Sequence, residues 1–140
     1  MATLAVERGA VLDTFFVVTE PKPGVVNPDP KNPADYQRMD LSGLEARVVF
    51  KTGECGRVVR TVDSAEPPGS QALVVEPPED DVPADLVDPD VGTRGVLWLH
   101  LGATVTSAFR TEGWLLVVLY DPLDPDQDVH AGHASVKVVE

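Results

Sequence analysis

The chain reads as one small all-β domain, a sandwich or barrel of about seven strands. Three observations predict it. Residues 40–50 run from a turn signal, Asp40-Leu-Ser-Gly43, into a clean alternation: Leu44, Ala46, Val48 and Phe50 on one face, Glu45, Arg47 and Lys51 on the other. Side chains of a strand point alternately to its two faces, so this segment is one wall of a half-buried sheet. Second, the 13 prolines fall in three clusters, 21–33, 67–89 and 122–125, and none interrupts an apolar run. Proline cannot donate to a ladder, so the clusters mark where central strands are not. Third, the gaps between clusters hold further short apolar runs bounded by turn residues.

In chain order, residues 11–19 form the first expected strand, rich in Val and Phe. Residues 44–52 form the second, and 57–63 return across Gly53-Glu-Cys-Gly56, a hairpin loop. Residues 72–76 make a short strand. Residues 95–101 alternate again, with Leu97, Leu99 and Leu101 against Val96, Trp98 and His100. With the leucines in the core, Trp98 faces outward as an interface anchor. Residues 104–110 allow one helical turn, capped by Thr104 or Thr106, with Val105 and Phe109 on one face. Residues 114–120 are apolar on both faces, which predicts a central strand covered on each side or exposed to a partner, and 134–139 close the chain.

Two segments stand apart. Residues 21–39 are polar and proline-rich, and are expected to be extended or mobile. Residues 76–92 hold seven carboxylates and, up to Gly92, no basic residue. They read as a solvated acidic loop, or as an arm that folds on a basic partner.

At 140 residues the chain is long enough for one self-sufficient core. Its single cysteine, Cys55, precludes an intrachain disulfide. The formal net charge of −12 opposes binding to nucleic acid and to anionic membrane surfaces. No secretory leader is evident, and no apolar stretch reaches the ~18 residues of a span.

Chemistry is weakly signalled. Asp121, Asp124, Asp126 and Asp128 place carboxylates at spacings that begin many calcium loops. Val129 stands where an EF-hand requires Gly, and Ser135 where it requires Glu, so the stretch reads first as a polar turn. His130 and His133, with His100 or Cys55 joining, have the residue types of a zinc site, but a strand turns residues three apart to opposite faces unless Gly132 makes a bulge. No serine sits in a nucleophile elbow, and no phosphate-binding glycine loop is present. The expectation is a non-enzyme without a bound cofactor.

Several pieces in order carry a family likeness: Glu7, Arg8 and Gly9 before 12–18; Asp40-Leu-Ser-Gly43 before 46–50; 95–101; the corner at 104–109; 114–120 ending in Asp121 and Pro122; and 132–139. Together they resemble small immunoglobulin-like β-sandwich proteins of tailed phages that infect actinobacteria, of the head–tail and minor-tail kind. The likeness spans most of the chain, which departs from it in the segments 21–39 and 76–92. It implies one immunoglobulin-like sandwich over residues 1–140 and a structural role in the virion, in the tail or head–tail connection. It further implies manufacture in the host cytoplasm, homo-oligomer formation, and other virion proteins as partners. The acidic balance favours those places, or the outer capsid surface as a decoration protein, over a shell interior facing DNA. Trp98, Trp114, Tyr36, Val25 and Val26 are the expected contact residues. The competing reading is a calcium-dependent binding module, with carbohydrate as one ligand class.

Overall fold

A computed structural model describes residues 3–110 and 112–139. The strands are β1 (Thr3–Glu7), β2 (Leu12–Val17), β3 (Thr19–Pro21), β4 (Tyr36–Arg38), β5 (Glu45–Lys51), β6 (Val58–Asp63), β7 (Gln71–Val75), β8 (Val96–Leu101), β9 (Gly113–Asp121) and β10 (Asp124–Val139), with one helical turn, α1 (Ala103–Thr106). A five-stranded sheet has the order β1-β10-β9-β5-β6, and a three-stranded sheet the order β2-β8-β7. Their inner faces share one core. The order is that of an immunoglobulin sandwich: β10-β9-β5-β6 follow its G-F-C-C′ strands and β2-β8-β7 its B-E-D strands. The all-β sandwich expected from the sequence is what the chain forms.

The core follows from the alternation. Ala46, Val48 and Phe50 of β5, Leu97, Leu99 and Leu101 of β8, and Leu115 and Leu119 of β9 are each at most 1% exposed. The Asp40-Leu-Ser-Gly43 turn works as its residue types require. One Asp40 carboxylate oxygen accepts from Ser42 N at 3.0 Å and from Ser42 Oγ at 2.6 Å. These bonds hold the Asp40 carboxyl below the usual carboxylate range. Gly43 takes a left-handed φ of 78°, and Leu44 N donates back to Leu41 O. The turn thereby drives Leu41, fully buried, into the end of the sandwich.

Several expectations are corrected. The N-terminal Thr3–Glu7 is a strand, paired parallel to the C-terminal end of β10. The last strand begins at Asp124, well before residue 134, and its pairing with β9 carries irregularities between Asp124 and Asp128 and between His130 and Gly132. The helical turn starts at Ala103 behind Gly102, with no side-chain cap. Thr106 is instead fully buried, its hydroxyl bonded to Ala10 O and Ala103 O, so it cannot serve as a cap. Val105 and Phe109 do both enter the core.

The proline-rich segment 21–39 is neither wholly extended nor unstructured. Its ends close as a ribbon in which β3 pairs with β4, and Pro21 is tolerated because a two-stranded ribbon has only edges. Inside it, Asn32 Oδ1 caps the 3-10 turn Pro33–Asp35, and Asp29 N donates to Asp35. The acidic segment 76–92 likewise packs on its own domain. It forms two 3-10 turns, Glu79–Asp81 and Ala84–Leu86, buries Val82, and closes through an Asp88–Gly92 bridge. Arg38 Nη1 donates to Gly92 O at 3.2 Å, tying the two segments together. Backbone N–H groups of Asp90 and Val91 lower the Asp88 carboxyl.

Candidate interface site

Strand β9 is the middle of the five-stranded sheet. Its inward residues, Leu115, Val117 and Leu119, fill the core. Its outward residues, Trp114, Leu116 and Val118, are half-buried. Register sets their neighbours: Lys51 and Ser135 beside Trp114, Val49 and His133 beside Leu116, and Arg47 beside Val118. The result is an apolar row, Trp114–Leu116–Val118 with Val49, flanked by polar side chains. The Trp114 indole stacks on the His133 imidazole, with ring centroids 5.0 Å apart and planes at 15°. A flat aromatic pair in an apolar strip with a polar border makes this face a candidate for a protein contact.

A charged network closes one end of the row. The Arg47 guanidinium lies 4.3 Å from the Tyr120 ring centroid, 3.8 Å from an Asp63 carboxylate oxygen and 3.5 Å from Asp128. Its Nε is buried without a hydrogen-bond partner, so the ring face and the two carboxylates compensate for its lost hydration. The Tyr120 hydroxyl donates to Asp63 at 2.5 Å, and Ser64 Oγ donates to Glu45 beside it.

Burial first, then the hydrogen bond to Asp63 and its charge, push the Tyr120 hydroxyl up to about 12. A tyrosine in the unfolded chain ionises near 10. Because the folded value is the higher, the stability from this group is intact below about pH 10 and is lost as pH rises through about 12. Tyr120→Phe is expected to flatten that alkaline loss. It should also cost about 1 kcal/mol at pH 7, since Asp63 keeps Ala65 N and Arg47 as partners. Urea unfolding between pH 8 and pH 12 reads both effects.

The outer face of the three-stranded sheet holds the second tryptophan. Trp98 is outward and half-exposed, as the alternation of residues 95–101 requires, and stacks on Phe15 at 5.8 Å. Asp13 Oδ1 accepts from Trp98 Nε1 at 3.0 Å and lies 2.7 Å from His100 Nδ1. An ionised carboxylate there requires Nδ1 to carry the proton. Asp13 and Phe15 were not singled out by sequence reasoning; only the β2–β8 register brings them to Trp98 and His100. Val96, on the same outward row, is nonetheless fully buried and stands apart from the main core.

The remaining expected contacts are dispersed. Tyr36 is half-buried opposite Pro21 in the β3–β4 ribbon, Val25 is half-buried in its loop, and Val26 at 83% exposure is free surface. The aspartates separate: Asp121 and Asp124 close a two-residue turn, Pro122-Leu123, while Asp128 pairs beside Tyr120 and bonds to Arg47. The polar turn is thus Pro122-Leu123 alone, and residues 124–128 belong to β10. Among the described residues, no three of His, Cys, Asp or Glu gather as a metal site. Gly132 does sit at a bulge, but His133 is stacked on Trp114, Cys55 is exposed in the β5–β6 hairpin, and the His130 side chain lies outside the described residues. No described helix is long and apolar enough to cross a membrane.

A third feature was missed altogether. Between the β5–β6 hairpin and the corner before β9 lies a cavity of about 230 Å³, floored by Phe50, Phe109, Val59 and Val136 and bordered by Lys51, Arg57, Arg60 and Arg110, with Glu112 and Gly113 at its edge. Phe109 meets Phe50 edge-on at 5.1 Å. The signal available in the sequence was the run Lys51, Arg57 and Arg60, basic in a chain of net charge −12.

The sequence matches no protein-family model and no curated protein.

Proposed function

We propose that this chain is a structural protein of a tailed-phage virion, in the tail or the head–tail connection, acting by protein–protein assembly and not by catalysis. The observation that carries the reading is the outward row of β9. A sandwich of this size has no need of Trp114, Leu116 and Val118 on the wet face of its central strand, and a partner that covers them gains from each. The immunoglobulin-like strand order supports the same reading, because it matches the fold that the sequence likeness implies. Fold alone carries no function, so the weight rests on the row.

The test is incorporation. Mass spectrometry of purified particles from cells that produce this chain should find it in many copies, and should find it with tails rather than with heads freed of tails. Recovery with heads alone would replace the tail reading by the capsid-decoration one. Absence from particles overturns the proposal. Trp114→Ser gives up the stack on His133 and should lower the melting temperature, yet leave the protein folded at working temperature while reducing incorporation at least tenfold, equivalent to about 1.4 kcal/mol or more of contact energy. The calcium-dependent alternative has no gathered oxygen ligands among the described residues to stand on, and calorimetric titration with calcium should give no heat.

A further inference from the structure

The charges of this domain are unevenly spread between its two ends, with Glu54 and Glu112 among the cations at one and Arg38 and Arg47 among the carboxylates at the other. At one end Asp121 and Asp124 flank the β9–β10 turn, Asp126 and Asp128 follow in the first residues of β10, and the segment 76–92 adds seven carboxylates. At the other end, where β9 begins at Gly113 beside Lys51, four of the chain's 11 basic residues, Lys51, Arg57, Arg60 and Arg110, surround the apolar cavity. Lys51 and Arg60 are spent only on neutral acceptors, Glu54 O at 3.1 Å and Gln71 Oε1 at 2.8 Å. Among the described residues no carboxylate forms an ion pair with any of the four. Four cations against one carboxylate, Glu112, around an apolar floor, in a protein with a twofold excess of acid, favour an anionic occupant with an apolar core.

The chain supplies such an occupant at its opposite end. Leu123 is the second residue of the two-residue β9–β10 turn and is 92% exposed, the highest among the large apolar side chains of the described residues. Asp121 accepts from Leu123 N at 2.9 Å, a bond that shapes the backbone of the tip. A leucine knob between the carboxylates of Asp121 and Asp124 complements a cavity floored by phenylalanine and valine and ringed by arginine.

We propose that Leu123 of one copy seats in the Phe50–Phe109 cavity of a second copy, with Asp121 and Asp124 against Arg57 and Arg110. The inference rests on the assembly reading above and deepens it by naming the partner and the contact. Knob and cavity lie at opposite ends of β9, so a molecule cannot fill its own cavity, and the contact is head-to-tail. Such a contact repeats, closing into a ring or extending as a stack along the strand direction.

Two variants test it, both at exposed positions. Leu123→Asp removes the knob and leaves the cavity; Arg57→Glu with Arg110→Glu spoils the cavity and leaves the knob. In sedimentation at low salt the wild type should grow with concentration beyond 15.0 kDa. Each variant alone should stay at chain mass, and an equimolar mixture should form a heterodimer and nothing larger. Raising salt should weaken the wild-type association at least tenfold. If both variants associate as the wild type does, this contact is wrong while assembly stands. If neither associates and the mixture also stays monomeric, the contact is not head-to-tail and the inference fails. A wild type that is strictly monomeric overturns it as well; incorporation into particles, measured separately, then decides whether the assembly reading survives.

Discussion

Phe50→Ala is expected to destabilise the domain by about 3–5 kcal/mol, the largest loss from a single side chain in this structure. Phe50 is 1% exposed and lies on β5, the strand that joins the central β9 to the edge strand β6. Its ring faces Phe109 edge-on, and Phe109 belongs to the corner that follows α1. Truncation removes the transfer energy of the ring and leaves a cavity beside one that already exists. Water can enter such an enlarged opening, but it finds apolar walls and few polar partners there. Because a domain of this size has only about 5–15 kcal/mol of net stability, the variant should unfold at much lower urea than the wild type. Val26→Ala, at 83% exposure in the ribbon loop, should change the unfolding free energy by less than about 0.5 kcal/mol. Equal midpoints for the two variants would show that Phe50 is not part of a cooperative core. The floor of the basic cavity is also the weld between the corner and the main sheet, so loss of stability and loss of the proposed contact should coincide in Phe50→Ala. They should separate in the surface variants Arg57→Glu and Arg110→Glu.

Much of the fold was legible because its information is local. The alternation of 44–50 and of 97–101 names the buried faces of β5 and β8 without reference to any partner strand. The double-faced apolar run 114–120 marks the strand that is central in the five-stranded sheet. What could not be read depends on register between distant segments. β1 is short, and only its parallel alignment with the end of β10 makes Leu4 and Val6 part of the wall. Asp13 meets Trp98 and His100 through a pairing of strands more than eighty residues apart. The order of the segment 76–92 is hidden by its seven carboxylates, because buried Pro77 and Val82, the Asp88–Gly92 bridge and side-chain bonds of Glu76, Asp88 and Arg38 hold it down. The basic cavity draws on β5, β6 and the corner before β9, so no window of sequence displays it.

The second large effect concerns backbone geometry. Gly95→Ala is expected to cost at least about 2 kcal/mol, although it adds only one methyl group. Gly95 has a φ of 77°, a region where an L side chain is strained. It is also buried. A Cβ there would lie 2.7 Å from Val18 O and 3.2 Å from Met39 O, both backbone atoms that cannot swing aside. The site is a junction. Gly95 N donates at 2.9 Å to the Glu76 carboxylate, which also accepts from Leu41 N, and Gly95 O accepts from Val18 N. Entry to β8, exit from β7, the buried Leu41 turn and the start of the ribbon therefore meet at one residue. Displacing Gly95 must disturb several of these bonds together, and each buried group left unpaired adds to the cost. Gly69→Ala, where a Cβ meets nothing within 4 Å and φ is not left-handed, is the matched control and should be near neutral. Thermal unfolding of the pair decides the matter. A Gly95→Ala protein that melts with Gly69→Ala would mean that the junction yields cheaply. A lower melting temperature for Gly95→Ala alone would show that the acidic end of the sandwich is held by backbone packing as well as by its hydrogen bonds.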